Sequence, residues 1–391
     1  MIDQYPSLST NWSYPTAVRF GPGRIAELPE ALAIAGIKKP LLVTDPGLVD
    51  LPIVATACDI LNKAKVPVAI FSKVDGNPTL KNLEDGIAAY KAGGHDGVIA
   101  FGGGSAMDVG KLIAFMPGQT RPVFDFEDRE DWWTRADAEG IAPIVAVPTT
   151  AGTGSEVGRA AVITDPRDHT KKIIFHPRML AKVVIADPQL TIGLPPKITA
   201  WTGMDALSHC LEAYCSPFFH PLGEGIALEG MRLVKEWLPV AVRDGQNIAA
   251  RAFMLAASSM GAVAFQKGLG AMHSMSHPCS SLRGTQHGLT NAVVMPYVLT
   301  YNASAIGERM AALARYLDLP TAGTKGVIEW VLTLRQEIGI PHTLKEIGVD
   351  EDMIAEGAPM AEHDPSTGGN PRPVTARDYE VLYRKAIRGE M

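Results

Sequence analysis

Along the first half of the chain, short apolar runs alternate with amphipathic stretches. "PLLVT" (40–44), "PVAIF" (67–71), "GVIAF" (97–101) and "PIVAV" (143–147) are rich in Val and Ile and bounded by Gly, Pro or Asp. Segments of helical period such as "LPIVATACDILNKAK" lie between them. Strands that are apolar throughout, rather than alternating, are buried on both faces, and helices between them make βαβ units with parallel strands. "AVIT", "KIIFH" and "VVIAD", within 161–187, predict further strands that extend this sheet or flank it. After "TIGLPP" (191–196) strand-like runs stop. Long helical patterns follow: "ITAWTGMDALSHCLEAYC", "GIALEGMRLVKEWLPVAVR", "NIAARAFMLAASSMGAVAFQ" and "GERMAALARYLDL". Pro195-Pro196 suits the boundary, because proline is tolerated in a first helical turn and not inside a helix. The pattern therefore predicts an α/β domain over 1–190 and an all-helical domain over 191–391, and a chain of 391 residues is long enough for two cores. "DFEDREDWWTRADAEG" (125–140) reads as a charged, solvated insertion between strands, in which Trp132-Trp133 can cover a neighbour.

Composition narrows the function classes. Hydrophobic residues make up 46% and charged residues 20%, far from a disordered composition. A net charge of -6 and the lack of a basic run argue against nucleic acid or an anionic membrane as partner. Four scattered cysteines, Cys58, Cys210, Cys215 and Cys279, make neither a disulfide framework nor a CxxC…CxxC zinc site, and read as reduced thiols. The start, "MIDQYPSLSTNWSYPT", lacks the basic region and apolar run of a signal peptide, and no uninterrupted apolar stretch approaches the roughly 20 residues of a membrane span. A cytoplasmic protein is expected.

Two loops carry candidate ligand chemistry. "FGGGSAMDVGK" (101–111) follows a strand and opens a helix. Its glycines let a ligand approach the backbone, Ser105 can cap the helix, and the helix N-terminus favours a phosphate. It departs from GxGxxG, since Met107 stands where the third glycine belongs. "PTTAGTGSEVG" (148–158) supplies hydroxyls from Thr149, Thr150, Thr153 and Ser155 and bare backbone at Gly152 and Gly154. Two such loops at the C-terminal ends of strands lie where a doubly wound fold binds ligands. Asp45 ends "LLVT", where a carboxylate can accept from an adenosine ribose or serve the turn before Pro46-Gly47.

The helical half holds a second constellation. Asp205 and His209 in "WTGMDALSHCLEAY" are four residues apart, on one helical face with Thr202 and Glu212. His273 and His277 repeat that spacing in "GLGAMHSMSHPCSSLRGTQHGLTN" (268–291), where His287 follows. Polar groups on otherwise apolar helices need partners when buried. Either these five residues satisfy one another, or three or four of them hold a divalent ion with an open coordination position. Gly268 and Gly270 would let another segment come close.

"GGGSAMDVGK", "PTTAGTGSEV", "TGMDALSHCLEAY" and "GLGAMHSMSHP…QHGLTNA" closely resemble the iron-containing (group III) alcohol dehydrogenases, from "RFGPG" near residue 19 to "NPR" at 370–372. The resemblance implies a dinucleotide-binding α/β domain, an all-helical metal-binding domain and a site in the cleft between them. It carries the metal ligands over to Asp205, His209, His273 and His287, and places His277 beside the nicotinamide and the substrate. Cofactor contacts carry over to Asp45, Asn77, Gly103, Gly104, Ser105, Thr149, Thr150, Thr153 and Lys172. The implied cofactors are NAD(H) and a divalent metal, Fe(II) with Zn as the alternative, and relatives are commonly homodimers or larger. Two departures bear on the substrate. Cys279-Ser280 stands where family members often have Leu-Gly, and Gly158-Arg159-Ala160 replaces a stretch that often begins with Thr.

The implied reaction is reversible hydride transfer between the carbon of a small alcohol and the nicotinamide, with the metal lowering the alcohol's pKa and His277 relaying a proton. Rival readings keep the fold and change the reaction (maleylacetate reductase, polyol dehydrogenase), or take the metal site for a hydrolase, which would leave both glycine/threonine loops without a purpose.

Overall fold

The computed structural model describes residues 16–168 and 170–391. The signal-peptide reading falls on the N-terminal segment and lies outside the described residues. The described chain divides into two compact units, one running to Thr150 and including Gly154–Gly193, the other made of Ala151–Thr153 and Leu194–Met391.

The first unit is built on a six-stranded sheet. Its strands are β1 (Ala17–Phe20), β2 (Pro40–Val43), β3 (Ala69–Phe71), β4 (Gly97–Gly102), β5 (Ile144–Pro148) and β8 (Val183–Ala186). They lie in the order β1-β8-β5-β4-β2-β3, and every pair is parallel. Helices α1 (Leu28–Ala35), α2 (Pro52–Lys63), α3 (Leu80–Gly93) and α4 (Gly104–Phe115) alternate with them. The unbroken apolar strands are explained by burial on both faces. On β4, Ile99 and Phe101 enter a core with Leu28 and Leu32 of α1 and Val54 and Leu61 of α2. Val98 and Ala100 face α4, where a Cβ on Gly110 would come within 2.9 Å of the Ala100 Cβ. Of the three runs left open by the sequence, β8 joins the sheet. The other two, β6 (Ala160–Thr164) and β7 (Lys171–Phe175), form a separate antiparallel pair. The chain moves outward from β2 to β3 and then returns to the other side of β2 with β4. Such a reversal leaves a crevice at the C-terminal ends of β2 and β4, the place where open α/β sheets bind ligands.

The charged insertion is folded onto this unit. Trp133 packs edge-on against Phe175 and His176, and the Arg135 guanidinium lies 4.0 Å from the Trp132 ring centre.

The second unit is helical: α5 (Pro196–Cys215), α6 (Pro221–Arg243), α7 (Ile248–Ala264), α8 (Ala271–Arg283), α9 (His287–Tyr316), α10 (Gly323–Glu337), α11 (Ile354–Glu362) and α12 (Ala376–Arg388). Pro196 sits in the first turn of α5, as its fixed φ allows. "GERMAALARYLDL" is only the end of α9, a 30-residue helix that runs through Pro296. The stretch Ile248–Lys267 is long and apolar enough to cross a membrane by length and composition, contrary to the sequence expectation. Just over half of its most apolar window is buried inside the protein, and α7 packs against α5 and α6, so core packing accounts for that apolarity.

Candidate metal centre and cofactor loops

Three helices of the second unit converge on one buried point. Asp205 comes from α5, His273 from α8 and His287 from the first turn of α9, and one ligand atom of each lies within 4.8 Å of the other two. Small residues allow the helices to meet. A Cβ on Gly288 would clash with the Trp201 carbonyl oxygen and lie 2.8 Å from the Asp205 Cβ. One on Gly261 would lie 3.0 Å from the His209 Cβ. Gly152 lies so close to Thr202 that a Cβ there would be 2.7 Å from that side chain, so in the second glycine/threonine loop this glycine serves packing onto α5.

The hydrogen bonds around the point fix which atoms face inward. Glu212, two turns along α5 from Asp205, accepts from the Met272 amide at 2.7 Å through Oε1 and from His273 Nδ1 at 2.6 Å through Oε2. One carboxylate thus satisfies the opening turn of α8 and holds the His273 ring. The Ser276 hydroxyl donates to the His287 carbonyl at 3.1 Å, so it accepts from His287 Nδ1 at 3.0 Å. In their neutral form both rings therefore present Nε2 as a lone pair, beside an Asp205 oxygen 3.6 Å from His287 Nε2. Two donors each about 2.1 Å from a shared tetrahedral centre stand about 3.4 Å apart, so this set fits a divalent transition-metal ion. Outer carboxylate and hydroxyl groups that orient ligating histidines are the usual support of such a site.

His209 stands beside this group rather than within it. Its ring is stacked on His273 with centres 4.9 Å apart, and its Nδ1 is buried with no well-formed hydrogen bond among the described residues. Burial pushes its pKa down to about 4, so the ring is neutral and able to ligate at pH 7. Burial also works against protonated His273, but the hydrogen bond and charge of Glu212 reverse that and leave its pKa raised. A metal arriving there displaces a proton. His277 is also outside the group. Its ring stacks on His287 at 5.2 Å, and its Nδ1 is 2.6 Å from Asp364 Oδ2. Burial would raise the Asp364 pKa, but the charge and hydrogen bond of His277 bring it below the ordinary value. An ionised Asp364 accepts from Nδ1 and so turns Nε2 of His277 away from the carboxylate.

The loop residues of the first unit gather at the crevice of the sheet. Gly103 is the N-cap of α4, and no side chain among the described residues caps that helix. Ser105, expected to do so, instead donates to the Gly76 carbonyl at 2.7 Å, because it is the second residue of the helix rather than the residue before it. That bond ties the turn carrying half-buried Asn77 to the glycine loop. Gly102, with φ of +148°, turns the chain out of β4, and the Thr149 amide donates to its carbonyl at 2.9 Å. Gly103 lies against Thr150, whose Cγ2 would be 3.2 Å from a Cβ there. Asp45 accepts from the Gly47 amide at 2.9 Å, and burial raises its pKa. Its other oxygen lies on the Gly102 side of the crevice, 3.5 Å from where a Gly102 Cβ would be. Lys172 pairs with Asp168 at 3.2 Å on the β6–β7 hairpin, whose Thr164 amide donates to the Pro78 carbonyl, next to Asn77, at 2.9 Å. Gly104 opens α4, and Thr153 belongs to the second unit.

Sequence reasoning placed Glu212 on the Asp205 face without giving it a role, and it missed Ser276 and Asp364. Glu212 carried a signal, an acidic residue three past His209 on a buried helix. Asp364 lies 87 residues from His277 and carried none.

A parallel sheet with a ligand crevice at its switch point, and a buried carboxylate–imidazole cluster with outer-sphere support, define a class: metal-dependent dehydrogenases of the nicotinamide type. The family model "Iron-containing alcohol dehydrogenase" matches residues 15–188, and "Fe-containing alcohol dehydrogenase family, C-terminal" matches residues 199–387. The chain is 38% identical over 384 residues to 4-hydroxybutyrate dehydrogenase of Cupriavidus necator, covering 96% of this chain and 99% of that one. It is 34% identical over 385 residues to the NAD-dependent methanol dehydrogenase of Bacillus methanolicus, covering 97% and 100%. The crystal structure of a 1,3-propanediol oxidoreductase superposes with a TM-score of 0.92 at 35% identity, over 97% of this chain and 100% of that one. This chain belongs to the iron-containing alcohol dehydrogenase family. It is an oxidoreductase acting on CH–OH groups, with NAD(H) and an iron-type divalent metal as cofactors.

Proposed function

We propose that this enzyme interconverts a small primary alcohol and its aldehyde, with residues 1–190 binding NAD(H) and residues 191–391 holding Fe(II). The observation that carries the metal assignment is the convergence of His273 Nε2, His287 Nε2 and the Asp205 carboxylate, all three as acceptors. His209, neutral and stacked on His273, is the fourth protein ligand in this reading. A bound divalent ion supplies Lewis-acid polarisation of the substrate oxygen and lowers the pKa of the alcohol. Glu212 and Ser276 hold the two imidazoles with Nε2 inward. His277, fixed by Asp364, accepts the alcohol proton at Nε2 and returns it when an aldehyde is reduced. The nicotinamide nucleotide is held by the crevice loops: Asp45 at the ribose, Gly103, Gly104 and Ser105 at the phosphates, and Asn77, Thr149, Thr150, Thr153 and Lys172 around it. The primary-alcohol reading rests on the relatives' names, since 4-hydroxybutyrate, methanol and 1,3-propanediol all carry a terminal hydroxyl. A cytoplasmic homodimer or larger assembly completes the proposal.

The test separates ligand from proton carrier. His273→Ala and His287→Ala should lose bound metal and activity together, measured as metal per subunit after anaerobic reconstitution. His277→Ala should keep its metal and lose turnover by roughly 100-fold or more. An empty His277→Ala beside a full His273→Ala would reverse the two roles. Secondary alcohols oxidised as fast as their primary isomers would remove the substrate reading.

A further inference from the structure

One side chain touches all three inward-facing ligand atoms and has no part in the reading above. Asn291 lies one turn beyond His287 on α9, on the same helical face, and is fully buried. Its Nδ2 is 3.0 Å from Asp205 Oδ1, 3.2 Å from His287 Nε2 and 3.3 Å from His273 Nε2. Its Oδ1 is buried with no hydrogen-bond partner among the described residues. The amide group is therefore mismatched to its surroundings. It has two protons for three acceptors, while its own acceptor faces no donor. With both imidazoles neutral, the form that binds a metal, the neighbours cannot resolve this, because His273 Nδ1 is committed to Glu212 and His287 Nδ1 to Ser276.

Rotation about the last side-chain bond would exchange the two ends without moving the helix. A cation shared by the three acceptors reverses the preference between those ends, repelling the amide protons and attracting the carbonyl oxygen. We propose that Asn291 is an additional metal-site residue: it turns Oδ1 toward the divalent ion, as a neutral oxygen donor that helps retain it. With the metal bound, the orphaned carbonyl finds a positive partner, and the ligand lone pairs no longer depend on the amide. A fifth donor suits an iron-type ion, which takes more than four ligands, better than the closed tetrahedron of structural zinc.

The proposal rests on the metal assignment above, and the experiment separates the two. Wild type, Asn291→Leu, Asn291→Asp and His287→Ala are reconstituted anaerobically with Fe(II). Release of the metal to a chelator is followed with time, and the Co(II)-substituted proteins are compared by visible absorption. Asn291→Leu should release Fe(II) roughly tenfold faster or more, with a Co(II) band intensified by the lower coordination number. Asn291→Asp, which keeps an oxygen at either end, should hold the metal at least as long as wild type. If Asn291→Leu does not fold, Asn291→Asp decides alone, and faster release from it overturns the proposal. Wild-type release and an unchanged Co(II) band in Asn291→Leu, while His287→Ala is empty, would overturn the Asn291 role and leave the metal centre standing. A wild-type protein that takes up no metal would overturn both.

Discussion

Asp45 shows how one carboxylate serves a turn and a ligand site together. Oδ1 accepts from the Gly47 amide, which orients the carboxylate at the end of β2, and the other oxygen stays on the crevice side. Its negative charge would accept from a ribose 2′-hydroxyl and repel a 2′-phosphate. Asp45→Gly should therefore narrow the preference for NADH over NADPH, read as the ratio of kcat/KM for the two. A wild-type enzyme that used both equally would remove Asp45 from the ribose. Its chemical type and place after a strand were readable from the sequence, whereas the division of labour between its two oxygens was not. Glu212 is the reverse case. Its position on the Asp205 face followed from spacing, but the partners that give it a role are the Met272 amide and His273, 60 and 61 residues away.

Between elements, the centre depends on how closely α5, α8 and α9 approach. Gly288 is the tightest point, where an added Cβ would meet the Trp201 carbonyl and the Asp205 Cβ. Gly288→Val forces α9 away from α5 and so separates His287 from Asp205. The expected result is a loss of stability on the order of 1–3 kcal/mol by denaturant melts, together with reduced metal content. A variant of full stability and full metal occupancy would show that the helices tolerate the wider spacing. Helical period placed Asp205 with His209 and His273 with His277, yet the group that meets takes one residue from the first pair and one from the second, with His287 from a third helix. Periodicity reports neighbours on one helix. Crossing of helices decides which of them face each other. The glycine loop teaches the same point, since Ser105 lies two residues past the cap and its hydroxyl is drawn instead to the Gly76 carbonyl.

For the molecule as a whole, buried titratable groups set how stability changes in alkali. Burial pushes the thiols of Cys210, Cys215 and Cys279 up to about 12. A raised folded pKa gives stability that is complete below the unfolded value, near 9, and is lost as pH rises toward 12. Buried Lys267, paired with Glu224, opposes this. Its pKa is lowered to about 8, so the unfolded chain binds the extra proton between 8 and 10.5 and stability rises there. The three thiols thus lower stability between pH 8 and pH 10, while Lys267 and the likewise lowered, buried Lys111 raise it. Denaturant melts at the two pH values isolate the thiol contribution: Cys279→Ala should lose less stability, or gain more, over that interval than wild type. An unchanged pH dependence in Cys279→Ala would remove that thiol from the balance.

Local pattern in the chain was enough for the unbroken apolar strands, the change to helices at Pro195-Pro196, the two glycine/threonine loops, and the Asp/His spacing on which the family resemblance rests. Strand and helix periods, proline's fixed φ and the chemistry of residue types all act over a few positions, so they can be read without knowing the fold. The departure of β6 and β7 from the main sheet and the orientation of His277 by Asp364 emerged only on folding. So did the arrival of Glu212, Ser276 and Asn291 at the metal ligands. Those outcomes depend on contacts between distant segments, where helix crossings and hydrogen-bond partners leave no period in the chain.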